Sequence, residues 1–167
     1  MGLGALMAAR LSAAAAVIAI DIVPSRLELA RELGATHTID ASAVDVVEAL
    51  REIGAGGVQV AVETTGVPAV QRQATEALAS RGGLALIGAR LGADYTVPVQ
   101  TLLAGRRVRG VVEGDSDLVT FLPALVQAYR AGRLPIDRLI TQYPLSEIDR
   151  ASADSAAGIT IKPVLRF

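Results

Sequence analysis

Short apolar runs alternate with longer segments of helical periodicity along the whole chain. The runs predict buried strands because they are short and rich in β-branched residues. Segments in which apolar residues recur on one face predict helices. The predicted strands cover residues 17–20, 36–39, 58–62, 84–88 and 107–112, and the predicted helices cover residues 3–14, 24–33, 43–53, 67–80 and 118–131. This alternation predicts an α/β fold with a parallel sheet and right-handed crossovers.

Turn-forming residues separate several of these elements. Pro24 opens the second helix and Gly34 ends it, whereas residues 54–57 and 81–83 form glycine-rich turns. The last part of the chain predicts a strand, a short helix and another strand, at residues 140–145, 146–157 and 159–167. Since no low-complexity linker precedes it, this part is expected to be an addition to the α/β unit.

Composition narrows the classes of function. The 167 residues are 51% hydrophobic, and with two Phe, three Tyr and no Trp the core must be aliphatic. A net charge of −1 argues against nucleic acid as a partner, because nucleic-acid binders show a basic patch or stripe. Cysteine is absent and His37 is the single histidine, which leaves no disulfide, no thiolate nucleophile and no predicted metal site.

The alanine-rich start of the chain resembles a targeting segment only superficially. A secretory signal carries positive charge before its apolar stretch, whereas Arg10 falls within this one. The apolar stretch after Arg10 is about half of the roughly 20 residues that a membrane helix needs. We therefore expect a cytoplasmic chain with no membrane partner.

A glycine pattern lies at the extreme N-terminus, in Gly2 and Gly4. Read as the start of G-x-G-x-x-G it fails, because Met7 takes the sixth position and no strand precedes it. The alternative is that Gly2 is the third glycine, which lets a helix and a strand pack closely. Asp21 then ends the second strand of a dinucleotide-binding unit, where an acidic side chain binds the ribose hydroxyls of NAD and repels the 2′-phosphate of NADP.

Several longer segments strengthen this alternative. They are, in order, GLGALMAAR at residues 2–10, VIAIDI at 17–22, SRLELA at 25–30, ELGAT at 32–36, ETTG at 63–66, GLALIG at 83–88 and GVVEGD at 110–115. In this order and spacing the chain resembles the C-terminal half of a zinc-type, medium-chain alcohol dehydrogenase, closest to the aryl-alcohol dehydrogenases. The resemblance implies a Rossmann-like, doubly wound parallel sheet that lacks its first strand. It also implies a truncated dinucleotide-binding domain at residues 1–139, followed by a segment at 140–167 that in the family returns to the catalytic domain.

The resemblance also implies roles for individual residues. Arg26 stands where a basic residue helps to hold the adenosine ribose, and Lys162 where one reaches the pyrophosphate. The turn at residues 64–66 lies beside the adenosine half, and the backbone of residues 87–89 meets the nicotinamide. The complete set of implied cofactor-binding residues is Gly2, Asp21, Ile22, Arg26, Thr64, Thr65, Gly66, Ile87, Gly88, Ala89, Val111, Val112 and Lys162.

Each of these positions has a structural alternative. Asp21 could cap a turn, Arg26 could pair with Glu28 or Glu32, and Lys162 could be a solvated surface charge. His37 aligns with no catalytic position of the family, so a structural or solvent-facing role is expected for it.

In the family, the alcohol gives hydride to NAD at a zinc ion held by cysteine and histidine in an N-terminal domain. This chain has none of that domain, so no catalytic residue is assigned, no zinc is expected, and the chain alone is expected to be catalytically incompetent. Binding of NAD is expected to be weak or lost. The alternatives are a non-catalytic adenine-nucleotide-binding or dimerisation module and a non-functional truncated remnant.

A missing first strand has structural consequences as well. In a sheet of order 3-2-1-4-5-6 that strand is central, so the strands at residues 17–20 and 58–62 each lose a hydrogen-bonded neighbour. A second copy of the chain or residues 159–167 could fill the gap, or it could stay open. Met1 falls where valine is common in the family, which would fit an internal start codon. The region at residues 95–112 is where family members pair across a dimer, which makes a homodimer through it the expected assembly.

Overall fold

The computed structural model describes residues 1–167 and contains seven helices and seven strands. The helices are α1 (Gly2–Leu11), α2 (Pro24–Glu32), α3 (Val46–Ile53), α4 (Pro68–Glu76), α5 (Val99–Leu103), α6 (Leu118–Arg130) and α7 (Ile148–Ala156). The strands are β1 (Ile18–Asp21), β2 (His37–Asp40), β3 (Val58–Glu63), β4 (Leu78–Leu86), β5 (Arg107–Gly110), β6 (Ile140–Pro144) and β7 (Lys162–Arg166). All strand pairs are parallel, which confirms the predicted α/β class.

Contacts group the chain into two compact units, Met1–Leu118 and Val119–Phe167. The sequence-based boundary between residues 139 and 140 stays a prediction. None of the helices has both the length and the apolar character needed to cross a bilayer.

The first unit contains two separate parallel sheets. β1 pairs with β2, and β3, β4 and β5 form a sheet with β4 in the middle. β1 and β3 are not hydrogen-bonded to each other, as expected if a strand between them is missing. Both free edges carry exposed apolar side chains, and Val60 of β3 is 72% exposed. Residues 159–167 do not fill the gap, because β7 pairs with β6.

Two features hold the first unit together across these edges. Helix α1 buries Leu6 and Met7 and packs against both β1 and β3. On another side, a buried cluster joins β1, β2, α3 and the start of β3; its buried members are Ile39, Val46, Leu50 and Ala77. The helical periodicity of α3 explains this packing, because Val46 and Leu50 are one turn apart and share its apolar face.

The prediction for residues 77–83 was wrong in part. Residues 78–80 were expected to continue a helix, but helix α4 ends at Glu76 and Leu78 pairs with Val58. Tertiary pairing overrides the helical preference of these residues. The predicted turn at 81–83 instead belongs to β4: Val60 pairs with Gly83, so that the residues between Leu78 and Gly83 bulge from the ladder. Helix α5 was also not predicted.

The second unit is a small parallel sheet covered by a helix. The hydroxyl of the buried Tyr143 in β6 donates a hydrogen bond to Oδ2 of Asp154 in α7, at 2.8 Å. The Arg150 guanidinium lies 6.0 Å from the Tyr143 ring centre. The hydrogen bond to the Asp154 carboxylate, followed by burial, raises the pKa of Tyr143 above its ordinary value. This network fastens α7 to β6.

Candidate functional site

The carboxyl ends of β3 and β4 carry two turns in direct backbone contact. A β-carbon at Gly66 would lie 2.8 Å from the carbonyl carbon of Ala89. A β-carbon at Gly88 would overlap the Gly66 nitrogen and lie 2.7 Å from the Thr65 nitrogen. Gly66 also has a φ of 69°, which side-chain-bearing residues rarely adopt. Glycine is therefore required at both positions.

Glu63, the last residue of β3, is bonded to both turns. Its carboxylate Oε1 accepts hydrogen bonds from the amide and the hydroxyl of Thr65, each at 2.5 Å. The Gly66 amide also donates to this carboxylate, at 3.2 Å. The Glu63 main-chain carbonyl accepts from the amides of Ile87 and Gly88, at 2.9 and 3.1 Å. Only 3% of Glu63 is exposed.

These turns open onto a cleft of about 890 Å³ at the carboxyl edge of the β3–β4–β5 sheet. Crevices at the carboxyl ends of parallel strands are where α/β sheets bind their ligands. Six of the implied cofactor-binding residues line the cleft, and they are Gly66, Ile87, Gly88, Ala89, Val111 and Val112. Gly66, Gly88 and Ala89 carry no side chain or a small one, which suits the close approach of a flat ligand ring at that part of the wall.

A separate polar group lies at the carboxyl end of β1. Oδ1 of Asp21 accepts hydrogen bonds from the amides of Ile22 and Val23, at 2.8 and 3.1 Å. Its other oxygen, Oδ2, lies 3.9 Å from a guanidinium nitrogen of Arg26 in α2. The side chain of Asp21 is 31% exposed and that of Arg26 is 37% exposed. The Asp21 side chain is thus partly exposed, and Oδ1 holds the turn while Oδ2 faces Arg26.

The neighbouring strand provides a comparison for Asp21. Asp40 ends β2 and is the register partner of Asp21. Its Oδ1 accepts from the Ser42 hydroxyl at 2.6 Å and from the Ser42 amide at 2.9 Å. These two bonds hold the pKa of Asp40 below its ordinary value. Asp40 has a local capping partner of its own, and no cation is placed beside it as Arg26 is beside Asp21.

The remaining predicted residues belong to neither of these two groups. Gly2 begins α1 next to Thr64, where a β-carbon would lie 3.5 Å from the threonine hydroxyl oxygen, an ordinary contact. The close packing expected to require glycine at position 2 is therefore not found. Lys162 begins β7 in the second unit and is exposed. His37 is exposed and bonds Thr36 through Nδ1, in keeping with the structural or solvent-facing role expected for it.

Sequence reasoning missed several residues of the cleft. Gln71 of α4 donates from Nε2 to the Gly88 carbonyl at 3.4 Å, and Tyr95 lies within hydrogen-bond distance of Thr75. Glu63 does not line the cleft, and its hydrogen bonds to both turns were not predicted although it begins the ETTG segment. A signal was present, since a carboxylate followed by Thr-Thr-Gly has donors at the spacing of a capped turn. No comparable signal marks Gln71.

The donor set does not fit a catalytic zinc ion. Zinc sites are built from cysteine, histidine and carboxylate ligands. The chain has no cysteine and one histidine, and nowhere do three or more of its His, Asp and Glu side chains converge on a point that could hold a metal. The Cys/His zinc site implied by the family resemblance is therefore not formed by these residues.

Comparison with known protein families agrees with this geometry. Residues 1–127 match the family described as zinc-binding dehydrogenase. The chain belongs to this family. It corresponds to the C-terminal, NAD(P)-binding part of zinc-type alcohol dehydrogenases, which confirms the resemblance seen in the sequence. Geraniol dehydrogenase of Castellaniella defragrans is 37% identical over 171 residues, covering 100% of this chain and 46% of that protein.

Solved structures of the family superimpose closely on this member. The alcohol dehydrogenase zinc-binding domain protein from Burkholderia ambifaria is 54% identical with a TM-score of 0.96, covering 99% of this chain and 45% of that one. Benzyl alcohol dehydrogenase from Acinetobacter calcoaceticus is 45% identical with a TM-score of 0.97, covering 99% of this chain and 46% of that one. This chain thus spans somewhat less than half the length of the relatives that it matches.

Proposed function

We propose that this chain binds NAD and forms the NAD-binding part of an NAD-dependent alcohol dehydrogenase of the cytoplasm. The observation that carries the proposal is the arrangement of Asp21 at the carboxyl end of β1. One of its oxygens is held by two backbone amides, the other lies 3.9 Å from Arg26, and the side chain is partly exposed. A carboxylate in that position accepts hydrogen bonds from the adenosine ribose hydroxyls.

The same carboxylate supports a preference for NAD over NADP. A 2′-phosphate on the ribose would meet the negative charge of Asp21, and Arg26 already has that carboxylate as an ion-pair partner. A related protein from Sinorhizobium meliloti, 28% identical with a TM-score of 0.88, was solved bound to NADP, so a protein of this fold accepts the phosphorylated cofactor. We therefore propose that the negative charge of Asp21 selects NAD over NADP.

In an intact enzyme the bound nicotinamide supplies the hydride acceptor for alcohol oxidation. The residues of this chain would orient it: Gly66 and Gly88 leave room for close approach, and Val111 and Val112 cover the cleft wall. We propose that the chain alone does not oxidise alcohols, because its side chains do not form the zinc site. We also propose weak NAD binding, since no G-x-G-x-x-G turn occurs in the sequence to hold the pyrophosphate.

An Asp21→Asn variant is the direct test of cofactor binding. Asparagine keeps an oxygen for the Ile22 and Val23 amides but removes the charge that strengthens the ribose hydrogen bonds. Loss of a charge-assisted hydrogen bond of about 1.5–3 kcal/mol predicts a roughly tenfold or larger drop in NADH affinity. The ratio of NADH affinity to NADPH affinity should fall as well. Calorimetry or saturation-transfer NMR with both dinucleotides measures these changes.

Asp40→Asn is the matched control, because Asp40 occupies the same register position on β2 and should leave both affinities unchanged. Equal binding of NADH and NADPH by the unaltered chain would refute the NAD preference. If the chain is instead a non-catalytic adenine-nucleotide-binding module, it should bind both 5′-AMP and NADH without turnover of benzyl alcohol. A non-functional remnant predicts no binding of either, and turnover by this chain with added zinc would overturn the proposed incompetence.

We further propose that the chain forms a homodimer through residues 95–112. β5 is bonded to β4 on one side and has a free edge on the other, which is a template for a second strand. Helix α5 directly precedes β5 in the sequence and has exposed apolar side chains, among them Leu103, which is 79% exposed. A two-fold axis would bring the same edge and helix of two copies together.

A Leu103→Glu variant is expected to shift the dimer towards monomer, because a charge would enter the apolar interface. Sedimentation equilibrium gives the dissociation constant of each form. Leu91→Glu is the control: Leu91 is fully exposed and outside the proposed interface, so it should leave the association unchanged. A monomer at all concentrations for the unaltered chain, or an equal effect of both substitutions, would count against this interface.

A further inference from the structure

The buried carboxylate of Glu63 is not explained by ligand contact, because it faces the protein's own backbone. It accepts from the Thr65 amide, the Thr65 hydroxyl and the Gly66 amide. Its main-chain carbonyl accepts from the amides of Ile87 and Gly88. One residue therefore bonds the turn after β3 with its side chain and the turn after β4 with its backbone.

The two turns also touch each other without side chains between them. Gly88 packs so tightly against residues 64–66 that a β-carbon would overlap that backbone, and Gly66 packs likewise against Ala89. With no side chain to adjust, the spacing of the turns depends on the hydrogen bonds that hold each one. Glu63 is the residue common to both sets.

Burial of the Glu63 carboxylate restricts which groups can surround it. A carboxylate that is almost entirely removed from water needs charge-assisted hydrogen bonds to remain stable there. The amide and hydroxyl donors of Thr65 and Gly66 supply them. A neutral amide in the same place would present an NH₂ group or a weaker oxygen to donors that need a strong acceptor, so the turn would rearrange.

We propose that Glu63 is a positioning residue that sets the distance between the two turns and thereby shapes the wall of the cleft for the nicotinamide half of the dinucleotide. The inference rests on the proposed NAD site and adds a determinant for it. Glu63 lines no part of the cleft itself. Its influence passes through the backbone of Gly66, Ile87 and Gly88, all of which do. The resemblance puts residues 64–66 beside the adenosine half, yet Gly66 lines this cleft together with Ile87 and Gly88. The group at Asp21 shares no hydrogen bond with Glu63, so in this proposal Glu63 acts on the cleft and not on Asp21.

The test compares ligands that use different halves of the site in the full 167-residue chain. Glu63→Gln is expected to lower NADH affinity about tenfold, the effect of one charge-assisted hydrogen bond. Affinity for 5′-AMP, which lacks the nicotinamide half, should stay within about twofold because no hydrogen bond of Asp21 is altered. Glu52→Gln makes the same chemical change at an exposed helix position and is the matched control for both ligands.

A milder variant guards against misfolding. Thr65→Ala removes the hydroxyl that donates to Glu63 and accepts from the Val67 amide, but it leaves both amide donors to Glu63, so a smaller loss in the same direction is expected. Its effect should also appear in the amide NMR shifts of Ile87 and Gly88. The Ile87 shift is the diagnostic one, because that amide donates to the Glu63 carbonyl, whereas Gly88 also contacts the Thr65 backbone directly. Unchanged shifts there in both variants, or equal losses for NADH and 5′-AMP, would overturn the positioning role.

These results separate this inference from the proposed function. Failure of the unaltered chain to bind either NADH or 5′-AMP refutes the NAD site. In that case faster hydrogen exchange at Ile87 and Gly88 in Glu63→Gln still reports whether Glu63 sets the turns. Binding of both ligands without any change in Glu63→Gln refutes the positioning role alone.

Discussion

Replacing Gly88 with alanine is expected to lower NADH affinity more than tenfold. The new β-carbon would overlap the Gly66 nitrogen and the Thr64 carbonyl carbon, which are backbone atoms that cannot rotate away. The two turns must then separate, and both of them line or adjoin the cleft. Overpacking of this kind costs about 1–3 kcal/mol, and a comparable loss in binding exceeds a factor of ten over most of that range. Titration with NADH, alongside thermal unfolding, measures both effects.

Gly83→Ala is the matched control for this variant. Gly83 lies in the same strand region, has no atom within 4 Å of its would-be β-carbon, and pairs with Val60 and Arg107 through backbone bonds alone. It should keep both NADH affinity and stability. Should Gly88→Ala bind NADH as tightly as Gly83→Ala does, the close contact of the turns would have no part in binding.

Gly57→Ala is expected to cause a large loss of stability. Gly57 has a φ of 134°, and a β-carbon there would lie 2.6 Å from the Ala79 nitrogen and 2.7 Å from the Ala77 carbonyl oxygen. Backbone strain of roughly 1–3 kcal/mol and overpacking of similar size add to about 2–6 kcal/mol. That is a large share of the roughly 5–15 kcal/mol that stabilises a typical domain. Urea unfolding followed by circular dichroism gives the free energy of unfolding.

Alanine at the adjacent Gly56 separates the effect of backbone strain from that of overpacking. Gly56 has a φ of 111° but open space around its would-be β-carbon, so Gly56→Ala should lose only the conformational part. The difference between the two variants isolates the clash with the start of β4. Equal losses would mean that the chain between Ala77 and Ala79 yields to the added methyl group.

The elements that could be predicted are those in which local and tertiary preferences agree. Pro24 stands at the first turn of α2 as expected, and the β-branched run at 17–20 became β1 with a shift of one residue. Residues 78–80 could not be predicted, because their composition favours a helix and only pairing with Val58 makes them strand. Helix α5 is too short for a periodic pattern to develop.

Only part of the candidate site could be predicted from the sequence. Asp21 and Arg26 are near neighbours in sequence, so their approach follows from a strand leading into a helix. The contact between Gly66 and Gly88 joins residues far apart in sequence and depends on the register of β3 with β4. No local pattern encodes that register. The ETTG sequence indicates the hydrogen bonds of the Glu63 carboxylate to its own turn. The hydrogen bonds of the Glu63 carbonyl to Ile87 and Gly88 depend on the register of β3 with β4 and could not be predicted.

Every strand in the structure pairs only with strands next to it in sequence. β1 meets β2 within residues 18–40, β3 meets β4 within 58–86, β4 meets β5 within 78–110, and β6 meets β7 within 140–166. Parallel pairing is slow to form when it must close long loops, and folding rates fall as contacts become more distant along the chain. Here each ladder needs only its own crossover. The loop that each ladder must close is therefore short, which favours fast formation of every strand pair in this protein.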